Sequence, residues 1–309
     1  MKGNLNILII SAHAPIDFEL TDSWIKEGHS VSLITRHFRW SDQFSALNQQ
    51  VSLGIPKHKP DVIVCEAIRD LRLAVAIKYS RLWFGTKIIK IHYWYPYKSI
   101  FLRWVENISV CEYSRKILLE TQKLDSKVVY CPVDTEFFRP ITIKKKKKAI
   151  AIGNGFKTRN MMGYDHLIKI LHGVHGLDPE IELSVFGLNE KSDYPDFVDV
   201  RSVSREEMLK EVNSSSCIFF TTTYNLIMHS MEIAMSCGAN VVAFELEPFK
   251  EVIEEGKSGY LIKNFDDDAF ARKVAEVAST PDESVGKMAR ENIVSKCDRR
   301  SVARKILEK

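Results

Sequence analysis

The chain has 309 residues, of which 45% are hydrophobic and 27% charged, and carries a formal net charge of +4. That length suits two domains of about 100–200 residues each, and the composition excludes a disordered, collagen-like or disulfide-dense chain. The mild positive charge fits an anionic substrate, or no charged partner at all, and the absence of any run of about 18 apolar residues excludes a membrane span.

In chain order, Asn6–Ala12 is expected to be a buried strand, too short for a membrane span and without a signal-peptide cleavage pattern. A short helix follows over Glu19–Glu27 and ends at Gly28. Ser30–Thr35 and Val62–Glu66 read as strands, the second after the Lys59-Pro60-Asp61 turn signal. A helix over Leu71–Trp83 ends at Gly85, and Lys87–Ile91, Val105–Cys111 and Lys127–Cys131 are further strands. Apolar runs without strict alternation point to parallel strands covered on both faces. The charge run Lys144–Lys148 interrupts this rhythm and reads as a solvated linker.

The rhythm then restarts. Strands are expected over Ala149–Gly153, Ile181–Gly187, Ile218–Thr222 and Asn240–Phe244. Helices are expected over Tyr164–His172, Arg205–Asn213, Met228–Cys237 and Asp267–Ala278, and Val285–Lys309 reads as charged and helical. Ser204 followed by Glu207 is a capping box. Asp266-Asp267-Asp268 opens a helix, so it reads as a cap rather than a metal site. The six cysteines lie in apolar surroundings with no paired spacing, which suits a reducing compartment and a cytoplasmic protein. The fold class expected is α/β, with two Rossmann-like, doubly wound domains facing a cleft. They cover residues 1–140 and 141–309, and the last helix is able to return to the first domain. Ligands of such sheets bind at the carboxyl ends of the strands.

Two stretches carry a family resemblance. Pro132-Val133-Asp134-Thr135-Glu136-Phe137-Phe138-Arg139-Pro140 resembles the interdomain signature of family 4 of the retaining GT-B glycosyltransferases. Ala234–Ala243, then Glu251-Val252-Ile253-Glu254-Glu255-Gly256 and Gly259–Ile262, resembles that family's donor-site segment. The resemblance implies an acceptor site in the first domain and a nucleotide-sugar site in the second. It further implies retention of configuration and no metal or other cofactor, with basic side chains and a helix N-terminus on the diphosphate. The acceptor stays open between a glycan, a lipid-linked sugar and a DNA base, and peripheral contact with the inner membrane surface is compatible with the basic, aromatic stretches 36–40 and 92–104.

The family usually has two Glu residues eight positions apart. Aligned on Ala234–Gly238, this chain has Asn225 and Ile233 there, with Glu232 one residue early, a rotation of about 100° on a helix. Asn154 and Met162 stand where the family's basic pair is common, while Lys157 and Arg159 in the same loop can supply that charge. His92 and His13, after strands of the first domain, and Glu232 are therefore the catalytic candidates. Gly153, Asn154, Lys157, Arg159, Asn225, Met228, His229, Glu232 and Glu251 are the donor-side candidates. For Glu251 the competing reading is a helix-N-terminal dipole partner.

Overall fold

The computed structural model describes residues 3–10, 14–34, 51–93, 98–153, 155–157, 160–225 and 229–308. The chain forms two compact units, Met1–Pro132 with Cys297–Lys309, and Val133–Lys296.

The first unit holds strands β1 (Asn6–Ile10), β2 (Ser30–Ile34), β3 (Val51–Leu53), β4 (Val62–Cys65), β5 (Lys87–His92), β6 (Glu106–Ser109) and β7 (Lys127–Val128). They lie in the order β3-β2-β1-β4-β5-β6-β7, and all pairs are parallel. The second unit holds β8 (Lys146–Ile152), β9 (Glu182–Phe186), β10 (Val198–Arg201), β11 (Ser215–Phe220), β12 (Val241–Phe244) and β13 (Tyr260–Ile262). Its order is β10-β9-β8-β11-β12-β13, again all parallel. Both are doubly wound α/β sheets, as the apolar runs implied.

Most central strands appear as expected, while β3, β10 and β13 were not anticipated. All three sit at sheet edges, where one flank of the strand is uncovered and the sequence need not be continuously apolar. Helix Glu112–Gln122 was also missed. Its N-cap Cys111 takes the Ser114 amide on its sulfur, so strand β6 ends at Ser109 instead of running to Cys111. The first helix spans Ala14–Lys26 rather than starting at Glu19. Pro15 is tolerated in its first turn, whose amides lack helical partners anyway, and Ile16, Leu20 and Trp24 share its buried face.

The charge run is not a linker throughout. Lys146–Lys148 opens strand β8. Lys147 pairs with Asp178 at 2.6 Å and Glu180 at 3.2 Å, and Lys148 is buried against Glu211 at 2.9 Å. The expected caps are present. Ser204 Oγ accepts the Glu207 amide while Glu207 accepts the Ser204 amide, and Asp266 accepts the Ala269 amide.

Helix Arg299–Leu307 is built into the first unit against helix Ala14–Lys26. Trp24 Nε1 donates to the Ala303 carbonyl at 3.0 Å, and Arg299 Nη1 reaches Glu19 at 2.9 Å and Asp22 at 2.7 Å. Within the second unit, Arg205 pairs with Asp134 at 2.9 Å. Arg290 donates to the carbonyls of Thr135, Ser236 and Phe138. These contacts tie the segment after Pro132 to the second unit.

Candidate functional site

In each sheet the strand order reverses once, between β1 and β4 and between β8 and β11. Chains leaving adjacent strands in opposite directions open a crevice at the carboxyl ends.

At the β8/β11 crevice, Gly153 ends the strand. A Cβ there would lie 2.6 Å from Phe156 Cζ and 2.8 Å from Met162 Cε, so a larger residue would have to displace those two side chains. Asn189 holds this loop from the β9 side. Its Nδ2 donates to the Gly153 carbonyl at 2.8 Å, and its Oδ1 accepts the Phe156 amide at 3.1 Å. Lys157 projects from the loop, exposed, with Nζ 2.5 Å from Asp193. The Asp193 carbonyl also accepts the Tyr164 hydroxyl. An exposed pair of this kind contributes little stability, so Lys157 can exchange Asp193 for another anion at small cost.

The loop after β11 is locked beside the first. Thr221 and Thr222 donate their hydroxyls to the carbonyls of Met162 and Met161 at 3.0 and 2.6 Å. Gly163, at φ +71°, passes so close that a Cβ would lie 1.9 Å from the Thr221 oxygen. Asn225 then accepts the Glu247 amide on Oδ1 at 3.0 Å, joining the loop after β11 to the one after β12. Helix His229–Ser236 follows, with His229 its first residue. The first amides of a helix lack intrahelical partners and carry the positive end of its dipole. Gly153, Lys157, Asn225 and His229 thus gather at one sheet end, on a rim suited to an anion.

Other candidates are placed differently. Asn154, Arg159, Met228 and His13 lie outside the described residues, as do residues 36–40 and residues 94–97 of the aromatic run after His92. Glu232 lies in the first turn of helix His229–Ser236 and is fully buried, whereas Ile233 is only half-buried. Glu251 is not at a helix N-terminus. It is the C-cap of helix Glu247–Lys250, and its carbonyl accepts from Lys296. The dipole reading for Glu251 is therefore overturned, since an acid at that end faces the negative pole.

In the first unit His92 is the last residue of β5 and is buried. Asn107 donates its Nδ2 to the carbonyls of Leu102 at 2.8 Å and Val105 at 3.2 Å, which turns its Oδ1 toward His92 Nε2 at 2.9 Å. Nε2 must then carry the proton, leaving Nδ1 as the acceptor. Burial, and next the charge of Lys90, push the imidazole down to about 3. His92 is a neutral, fixed ring that can orient a hydroxyl but is poorly suited to hold a proton at neutral pH.

Sequence reasoning missed the buried ionisable group around it. Glu66 directly follows β4 and Lys90 lies inside β5. Burial, then the charge of Asp17 and a hydrogen bond with it, raise the Glu66 carboxyl well above its ordinary range. Glu66 also bonds the Tyr93 hydroxyl. Lys90 donates to the carbonyls of Glu66 and of Ile91, the latter at 2.6 Å, and burial lowers its ammonium to about 8. The available signal was a lysine in the centre of the apolar run Lys87–Ile91. Among the described residues no three His, Cys, Asp or Glu side chains form a metal-ligand set.

The profile of Glycosyl transferases group 1 matches residues 133–293. No curated protein matches in sequence. Among solved structures, a glycosyltransferase from Rickettsia africae ESF-5 superposes with a TM-score of 0.77 at 14% identity, covering 99% of this chain and 97% of that one. Anabaena HepE, crystallised with UDP-glucose, gives 0.78 at 12% identity over 98% of both chains. Sucrose-phosphate synthase from Thermosynechococcus elongatus gives 0.73 at 13%, over 98% of this chain and 97% of that one.

Proposed function

The chain belongs to the Glycosyl transferases group 1 family and is a glycosyltransferase, and from that premise we propose that its second unit binds a nucleotide-sugar donor at the β8/β11 crevice and passes the sugar, with retention, to an acceptor held by the first unit. The observation that carries this reading is the junction of two locked loops. Gly153 lies against Met162, and the carbonyls of Met162 and Met161 accept the hydroxyls of Thr221 and Thr222, so the segments after β8 and β11 are joined at Met161–Gly163, inside the segment that matches the family. A basic side chain and the positive end of a helix dipole on one rim suit a diphosphate, and neutralising the charge that grows on the leaving nucleoside diphosphate is the main catalytic need. The reading requires no metal. Anabaena HepE was crystallised with UDP-glucose, so UDP and UDP-glucose are the first probes. All six cysteines are free and buried, which suits the cytoplasm.

Calorimetric titration with UDP-glucose, in chelator and then with added magnesium, tests the donor site. Metal-independent binding that weakens in Lys157→Ala supports it. Absence of binding to any nucleotide sugar in either buffer rejects it. Retention is read from the anomeric proton of the product by NMR.

A second reading follows from the carboxylates. The two positions where the family has Glu hold Asn225, which caps Glu247, and Ile233, while Glu232 is buried in the helix. A donor-binding subunit without turnover would show the same titration but neither transfer nor hydrolysis, whatever acceptor is offered.

A further inference from the structure

At the amino ends of β5 and β6, the sheet end opposite the crevice of the first unit, lies a second surface. Five large apolar side chains stand exposed there: Tyr79 at 55%, Leu82 at 69%, Phe84 at 61%, Ile100 at 60% and Trp104 at 66%. Single exposed apolar residues are ordinary, whereas a cluster signals an interaction surface. These belong to one place. Buried Trp83, between Leu82 and Phe84, shares a core cluster with Leu102, and Phe101 and Val105 pack on it. The segments enter neighbouring strands, with Ile89 opposite Glu106 in register and Lys87 bonded to Glu106 at 2.5 Å. Phe101 and Trp104 meet edge to face at 5.8 Å.

The two segments that carry this surface are predominantly basic. Residues 78–87 and 98–106 carry Lys78, Arg81, Lys87, Lys98 and Arg103 against the single acid Glu106, which Lys87 neutralises. Arg81, Lys98 and Arg103 are exposed beside the apolar group. Leucine and isoleucine offer nothing to stack on a base, but they enter the acyl boundary of a bilayer. Tryptophan and tyrosine favour its headgroup level, and basic residues are drawn to anionic lipid. No helix among the described residues is long and apolar enough to cross a membrane, so contact here would be from one side.

We infer that this surface docks the enzyme onto an anionic lipid bilayer, with Leu82, Phe84, Ile100 and Trp104 entering the interface and Arg81, Lys98 and Arg103 on the headgroups. The inference stands apart from the donor reading and is tested without any nucleotide.

The full chain is sedimented with vesicles of phosphatidylcholine alone and of phosphatidylcholine with phosphatidylglycerol. Binding is expected on the anionic vesicles, weaker on neutral ones, and decreasing as salt rises. Leu82→Ala with Trp104→Ala should lower the partition by about ten-fold or more, and Arg81→Glu with Arg103→Glu should abolish it. Leu177→Ala, an exposed residue of the second unit, should leave it unchanged. All these sites are exposed, and an unchanged melting temperature shows that the variants fold. Equal binding to both vesicle types, no binding to either, retention of DNA in place of vesicles, or a dimer that the paired apolar substitutions dissolve would each overturn the assignment.

Discussion

At the scale of single residues, two side chains carry opposite lessons. Lys157 is exposed and, among the described residues, pairs with Asp193, so Lys157→Ala should leave folding stability within about 0.5 kcal/mol of the parent. The same change should weaken UDP-glucose binding by about ten-fold, the worth of one charge-assisted hydrogen bond to a phosphate, measured by calorimetry. His92 is the reverse, a buried group whose proton affinity burial lowers from 6.5 to about 3. Below pH 6.5 the unfolded chain takes up a proton that the folded one refuses. Stability contributed by the neutral ring is therefore full above pH 6.5 and falls as the pH drops toward 3, by several kcal/mol across that window. Urea unfolding at pH 4, 5, 6 and 7 should show a shallower acid loss in His92→Gln than in the parent, since glutamine does not titrate and can still donate to Asn107. Identical slopes would mean that His92 does not hold its proton affinity down. The sequence placed His92 at a strand end, but not its pairing with Asn107, because that contact depends on which way the Asn107 amide is turned by Leu102 and Val105.

Elements were legible where the physics is local. The capping box at Ser204 needs only four consecutive residues, and it forms as read. Ser204→Ala should cost about 1 kcal/mol in urea unfolding. The apolar runs of β1, β4, β8 and β12 announced themselves because both faces of those strands are covered. The edge strands β3, β10 and β13 did not, because edge position is a property of the sheet. The candidate site was legible only in part for the same reason. Gly153 and Lys157 were visible as a glycine-bearing loop after a strand. That loop's attachment to the next one runs through Gly163 and the hydroxyls of Thr221 and Thr222, a contact between segments far apart in sequence. Gly163→Ala should be among the costliest single changes in the second unit, about 2 kcal/mol or more from strain and displaced backbone. It should also lower UDP-glucose affinity without touching a charge, and calorimetry beside thermal unfolding separates the two effects. A variant as stable and as tight as the parent would show that the loops move independently.

At the scale of the whole molecule, composition and rhythm gave the two α/β sheets, and the family resemblance was carried by segments of the second unit. The return of the last helix to the first domain was an expectation, and what the periodicity did not contain was its partners there. Arg299 lies against Glu19 and Asp22, and Trp24 bonds the Ala303 carbonyl. Ending the chain after Lys296 strips partners from buried carboxylates, a loss of about 3–5 kcal/mol. Hydrogen exchange should show lost protection in helix Ala14–Lys26 and unchanged protection in the sheet of the second unit. Equal loss in both would mean that the units unfold together. The same arrangement orders events during synthesis on the ribosome. The second unit is one uninterrupted stretch and is complete once residue 296 has emerged. The first, although translated earlier, waits for residues 297–308 before Trp24 is covered. The half made first is finished last, so a chain released short of residue 297 displays an open first unit to chaperones and proteases beside a closed second one.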